Sequence, residues 1–253
     1  MGVHIGRRQQ GFTIIEVMLF FAVTGALMLG VMGSASVGVN TQRYSDAVNT
    51  FTAIVQQEFT NVTNVVNTKS IDTLCGVGTG AERPRGISSC VILGRLMTVD
   101  GQGDIILSNI IGSDPGSANE SDTELEVIQS YDPKVDTSSQ ESDAMSWGTK
   151  LERGNPLATS NASIVLLRSP RSGNVYSYVI HSPSEIITTT DKLRDGISDL
   201  ISASPATNSV NQYLCIDRSG WVVTPARAVR LAPFASGPSG VANVEVSGSV
   251  CAS

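Results

Sequence analysis

Gly11-Phe-Thr-Ile-Ile-Glu16 joins a basic stub, Arg7 and Arg8, to a long apolar run, and the rest of the chain follows from how this junction is read. From Phe12 to Val39 the run spans 28 residues, and Glu16 is its only charged side chain. A helix needs about 20 residues to cross the hydrocarbon core of a bilayer. A carboxylate inside such a helix costs about 2.5–3.5 kcal/mol at the bilayer centre on insertion scales, so it calls for a partner. A cut after Gly11 would create one, the new amino group of Phe12. A secretory signal has an apolar region of only about 7–15 residues before its small-residue cleavage site. The run here is longer and carries an acid near its start, although Ala35 and Ser36 imitate such a site. A plain N-terminal anchor with an incidental glutamate is the other reading. In each case Arg7 and Arg8 hold the N-terminus on the cytoplasmic side.

Beyond the run, Tyr44, Val48, Phe51, Val55, Phe59, Val62 and Val66 recur at steps of three or four, an apolar stripe on one helical face. Gln42, Asp46, Gln56, Glu58 and Asn61 fill the other face. The pattern predicts a continuous helix from Phe12 to about Val66, roughly 80 Å long at 1.5 Å per residue. A break near Gly38, with a separate core helix after it, is the alternative. After Lys69 the pattern changes to short β-like runs between Gly, Pro, Ser and Asp clusters. Val91–Val99 and Asp104–Ile111 flank Asp100-Gly-Gln-Gly103 as one hairpin; Ser163–Arg168 and Asn174–Ile180 flank Ser169-Pro-Arg-Ser-Gly173 as another. Glu124–Ser130 alternates and reads as a strand, residues 131–144 read as an exposed acidic loop, and Asp191–Ile201 reads as a short helix. Gln212–Asp217, Trp221–Leu231 and Val241–Val250 complete a set of strands. The fold class expected is α+β: a long, partly transmembrane N-terminal helix followed by an antiparallel β-sheet or β-sandwich domain.

Composition narrows the function. The net charge of −6 becomes −8 once Arg7 and Arg8 are lost, with fifteen cations against twenty-three anions. No Lys/Arg cluster occurs beyond the leader, so no general nucleic-acid binding is expected. Cys75, Cys90, Cys215 and Cys251 all lie outside the apolar run. An even count in an exported domain points to disulfides, and the pairs Cys75–Cys90 and Cys215–Cys251 each bracket one local segment. No C-x-x-C is present and His181 is the only histidine after the leader, which disfavours a metal site; free buried thiols are a further alternative. His181 closes a strand pattern, no G-x-S-x-G or P-loop occurs, and the carboxylate pairs Glu124/Glu126 and Asp191/Asp195 read as solvated surface charges. Asp132, Asp136, Glu141 and Asp143 are oxygen donors of the kind calcium uses, but their spacing matches no EF-hand and they read as a solvated loop. No enzyme activity, cofactor or metal is expected.

The N-terminal segment resembles that of type IV pilins and type II secretion pseudopilins, on Gly11, Phe12, Glu16 and the apolar run over residues 6–39. The resemblance implies that a dedicated prepilin peptidase cuts between Gly11 and Phe12 and N-methylates Phe12. It implies that Glu16 meets the amino terminus of a neighbouring subunit during assembly. Many members carry proline where Gly33 stands; Gly30 and Gly33 would weaken the helix there by about 1 kcal/mol each relative to alanine. The stretch Tyr213-Leu-Cys-Ile-Asp-Arg-Ser-Gly-Trp-Val222, with Ala226-Arg-Ala-Val-Arg-Leu231 after it, loosely resembles the end of H-type minor pseudopilins. The implied organisation is a leader peptide over residues 1–11, a transmembrane half-helix over 12–39, an amphipathic half-helix over 40–66 and an extracytoplasmic β-rich domain over 67–253. The implied role is that of a structural subunit, minor because about 242 mature residues are many for a major one. Its expected partners are other pilin or pseudopilin subunits, the prepilin peptidase, an inner-membrane assembly platform and membrane lipid. A secretion pseudopilus, an adhesion or motility fibre and a DNA-uptake pilus remain open as its setting. The alternative is a membrane-anchored extracytoplasmic binding protein that forms no filament.

Overall fold

The structure is a computed structural model that describes residues 13–64, 90–113, 115, 122–152, 161–182, 187–202, 210–218 and 225–251. Helix α1 runs without interruption over Ile14–Thr63, 50 residues or about 75 Å. There is no break at Gly38 and no second helix begins there. Thr13 caps its start, and the backbone N–H of Asn64 closes its end on the Thr60 carbonyl at 2.9 Å. The helix therefore stops short of Val66, which lies outside the described residues. Its first half packs on no other element among the described residues. Its second half buries Tyr44, Val48, Phe51, Val55, Phe59 and Val62, the stripe legible in the sequence.

The strands are β1 (Cys90–Val99), β2 (Asp104–Ser113), β3 (Lys134–Ala144), β4 (Leu151–Glu152), β5 (Asn161–Arg168), β6 (Val175–Ser182), β7 (Gln212–Ile216), β8 (Ala226–Leu231) and β9 (Val241–Val246). They form two antiparallel sheets, one ordered β3-β2-β1-β5-β6 and one ordered β4-β7-β8-β9. Among the described residues there are also three shorter α-helices: α2 (Glu124–Ser130), α3 (Thr190–Ser202) and α4 (Gly248–Cys251). The stripe of α1 packs on Met97, Ile105, Ile164 and Leu166 of the larger sheet and on Leu214, Val229, Leu231 and Val241 of the smaller one. The opposite face of the larger sheet packs Leu96, Ile110, Val165 and Leu167 against Ile128 of α2 and Leu193 and Ile197 of α3. With both faces covered, β5 is buried at every position from Ala162 to Leu167, so its sequence is a run of apolar residues with no alternation. At the register shift of β1 between Ile92 and Gly94, a Cβ on Gly94 would lie 1.8 Å from the Leu166 carbonyl oxygen, so only glycine lets β1 and β5 approach there.

Both predicted hairpins form, β1–β2 and β5–β6, and α3 matches the helix expected over Asp191–Ile201. Three expectations are corrected. Glu124–Ser130 is a helix, because the Thr123 hydroxyl and the Glu126 carboxylate cap its first turn reciprocally and Ile128 then turns into the core beside Leu125. Residues 134–144 of the expected loop form the edge strand β3, whose backbone pairs with the open side of β2. Its charges suit a sheet edge, where they discourage pairing with further strands. The last strand ends at Val246 and gives way to α4.

Glu58 is also corrected: it does not sit on the polar face but is 3 % exposed. Its Oε2 accepts from Arg95 Nε of β1 at 2.5 Å, its Oε1 accepts from Asn61 Nδ2 at 3.0 Å, and Arg95 Nη1 donates to Asn109 Oδ1 at 2.8 Å. This network pins the end of α1 to the larger sheet. Removing one partner leaves an uncompensated buried charge, at a cost of about 3–5 kcal/mol, whereas replacing both by apolar groups is close to neutral. Arg95→Met is therefore expected to lower the denaturant midpoint sharply, and Glu58→Met with Arg95→Met to recover most of the loss; equal losses in the single and double variants would contradict this account.

Candidate functional site

Gly11 and Phe12 lie outside the described residues, so the geometry begins at Thr13. Thr13 Oγ1 accepts from the Glu16 backbone N–H at 3.3 Å. Glu16 Oε2 accepts from the Thr13 backbone N–H at 3.3 Å and from the Thr13 hydroxyl at 3.4 Å. The two residues thus close a capping box, which satisfies donors that the first helical turn leaves unpaired. The carboxylate also lies at the positive end of the helix dipole. A local cap and the first turn of α1, not a tertiary contact, hold Glu16 in place, and its side chain stays exposed.

Beyond this cap the helix offers bare apolar surface. Ile14, Met18, Leu19, Phe20, Phe21, Leu27, Met28, Leu29, Val31 and Met32 are all more than 60 % exposed. The most apolar 18-residue window has a mean hydropathy of 2.3 and none of it is buried in the domain. Water does not tolerate a helix that is apolar all round, so this surface demands lipid or other helices. The few polar side chains of the segment are satisfied within the helix. Thr24 donates to the Phe20 carbonyl at 2.7 Å, Ser34 to Val31 at 3.0 Å and Ser36 to Gly33 at 2.8 Å. No hydroxyl among these three needs water, which is the condition for a helix in hydrocarbon.

The other candidate residues fall elsewhere. Cys215 and Cys251 are joined by a disulfide that closes α4 onto the outer face of the smaller sheet, beside Ala228. Cys90 is disulfide-bonded, and its expected partner Cys75 lies outside the described residues. His181 pairs with Ala162 inside the sheet ladder. Of the carboxylate pairs expected on the surface, Glu126, Asp191 and Asp195 are exposed and Glu124 is half-buried; Glu124 and Glu126 also serve the first turn of α2. A hydrogen bond from the Ser169 hydroxyl, then Arg171, holds Glu124 below the usual carboxylate range, and the Thr123 backbone N–H does the same for Glu126. The acidic residues considered for calcium are dispersed: Asp132 pairs with Lys134 and Arg194, the Ser138 hydroxyl donates to Asp136, and Glu141 lies 3.8 Å from Arg95. The sequence reading missed Thr13 as the partner of Glu16, although the Thr-x-x-Glu spacing signals it.

Residues 6–32 match the family model described as the prokaryotic N-terminal methylation motif. The match covers the basic stub, Gly11, Phe12, Glu16 and most of the bare apolar surface. It supports a type IV pilin-like prepilin, a structural rather than a catalytic protein. Comparison with curated proteins and with solved structures found no match. The chain thus combines a methylation-motif helix with an α+β globular domain, which fits a membrane-anchored protein.

The Cys215–Cys251 disulfide spans a sequence separation of 36 residues. In the chain-entropy treatment a loop of that size stabilises by about 4 kcal/mol. Cys251→Ser is expected to lower the thermal midpoint of the non-reduced protein markedly, and a midpoint unchanged from the parent would show that the bridge contributes nothing.

Proposed function

We propose that this protein is a subunit, a minor one by its size, of a type IV pilus or type II secretion pseudopilus. A prepilin peptidase removes residues 1–11 and methylates Phe12. Residues 12–39 cross the inner membrane, residues 40–66 carry the helix out of it, and residues 67–253 form the extracytoplasmic domain. An inner-membrane platform then draws the chain into a filament with other pilin-like subunits. The observation that carries this reading is the bare apolar half of α1, headed by a single acidic residue and matched by the methylation motif.

The role of Glu16 follows from its cap. Within its own chain the carboxylate has the weak, neutral donors of Thr13. The ammonium group of Phe12 on an adjoining subunit is a full positive charge, and at low dielectric their attraction is far stronger than a neutral hydrogen bond. Glu16 is thus tolerable in the membrane before assembly and better satisfied after it. Both local bonds use Oε2, which leaves Oε1 to receive the incoming amine and select one axial register.

Two variants test this reading. Gly11→Val is expected to leave an unprocessed, membrane-retained precursor, since a branched side chain blocks the peptidase cleft; a normal N-terminus at Phe12 by mass spectrometry would remove the prepilin assignment. Glu16→Leu is expected to be processed and inserted normally but recovered poorly in sheared filaments when expressed beside its machinery. Equal recovery of variant and parent would leave an anchored extracytoplasmic protein that builds no filament.

A further inference from the structure

Trp147 is 55 % exposed and stands in the left-handed region at φ 61°, a conformation that bulky residues avoid. The fold maintains it there. Met145, buried just before it, donates its N–H to the Gly103 carbonyl at 2.8 Å, and Thr149 just after it bonds the Ser146 carbonyl through its N–H and its hydroxyl at 3.3 and 2.9 Å. The turn is closed on both sides of the ring, and the ring itself is left outside the core. The only cation over it is Arg43 among the described residues, with Cζ 4.9 Å from the ring centroid.

Position along α1 separates this aromatic residue from the other exposed apolar side chains. Val39 is the last residue of the apolar run and Arg43 follows it by about 6 Å along the helix axis. The 28-residue run is about 42 Å long, more than a hydrocarbon core of about 30 Å, and such a run tilts in the bilayer; a tilted span brings Arg43 and Trp147 down to headgroup level. Phe234, also exposed, lies beyond the other end of β8. Arg227, at the start of that strand, meets the Tyr44 hydroxyl, whereas Val241, paired with Leu231 at its end, meets Gln56. That places Phe234 roughly 18 Å or more further from the apolar run.

We propose that Trp147, oriented by Arg43, is an interfacial anchor that seats the globular domain on the phospholipid headgroups of the membrane crossed by α1; this rests on the membrane-spanning reading above. An indole ring has an apolar body and one N–H donor, which suits it to the layer between acyl chains and water. The Arg43 guanidinium stacks on one ring face and presents its remaining donors to lipid phosphates, which it can bond in bidentate fashion. Lys150, whose Nζ meets Gln102 at 3.0 Å, adds a second cation beside the same turn, while Asp100 and Asp104 lie at the adjoining hairpin and oppose it. Before assembly the contact would fix the tilt and rotation of the domain over the bilayer, and so the face of α1 that meets an incoming subunit.

The test uses the full chain with Trp221→Phe, which leaves Trp147 as the sole tryptophan of the two. The protein is reconstituted in phosphatidylethanolamine–phosphatidylglycerol vesicles that carry a spin label on the headgroup or deep on the acyl chain. The expected result is quenching of Trp147 by the headgroup label, little by the deep label, and a loss of iodide access relative to detergent. Arg43→Gln is expected to reduce the headgroup quenching; unchanged quenching would overturn the role of Arg43. A companion chain with Leu27→Trp, Trp147→Phe and Trp221→Phe reports on the span, and Trp221→Tyr replaces Trp221→Phe if that variant does not fold. If Leu27→Trp is quenched by the deep label while Trp147 is quenched by neither and remains open to iodide, the anchor is wrong and the span stands. If Leu27→Trp escapes the deep label, the span and the anchor both fall.

Discussion

The apolar stripe from Tyr44 to Val62 bears on two sheets at once, and each part of the domain is placed by what it does to cover that stripe. A β-sheet exposes one face to the side on which its strands carry apolar residues, and here two separate sheets present such faces to the same helix. Among the described residues, α1 is the helix that covers that face of both sheets. Burying a large aliphatic or aromatic side chain contributes about 1.5–3 kcal/mol, and Tyr44, Phe51 and Phe59 are all fully buried between helix and sheets. Tyr44 adds a polar tie, since its hydroxyl accepts from the Arg227 N–H at 3.1 Å and lies 3.2 Å from the Ile216 carbonyl. Burial raises the pKa of this phenol, so it remains a neutral hydroxyl in both contacts.

The same helix carries a second, bare apolar surface. Its first half has no partner among the described residues, yet the helix continues from it into the domain as one hydrogen-bonded rod. A rigid rod transmits position. In the reading proposed above, a register set at Glu16 would also set the height of the domain, and an anchor at Arg43 and Trp147 would constrain the rotation of the apolar half. The buried Glu58–Arg95 pair completes this coupling at the far end of α1, where it prevents the helix from sliding over the larger sheet without stranding a charge.

Local chemistry made some elements legible from the sequence. The β1–β2 turn is one: Asp100 Oδ1 accepts from the N–H groups of Gln102 and Asp104 at 2.8 and 2.9 Å, and Gly103 takes φ +89°. Those are the residue types such a turn requires, and they lie within five positions of one another. Helix α2 looks like a strand in the sequence because Leu125 and Val127 alternate over a segment too short to show a helical period. The signal that resolves it, Thr123 followed by Glu126, was present at its N-terminus.

The sequence by itself determined the boundary between the two halves of α1, the position of Glu16, the amphipathic stripe and the two hairpins, because each depends on periodicity or on a turn whose residues are neighbours. Only the tertiary structure decided that β3 is a strand, that Glu58 is buried and that Trp147 stands beside Arg43. Strand β3 carries mostly polar side chains, and what makes it a strand is the unpaired backbone edge of β2, which no side-chain pattern records. Glu58 and Arg95 are 37 residues apart, and Arg43 and Trp147 more than a hundred; their energies arise when the chain brings them into contact and removes water from around them. Periodicity reads the face a side chain occupies, whereas the partner on that face depends on how distant segments pack.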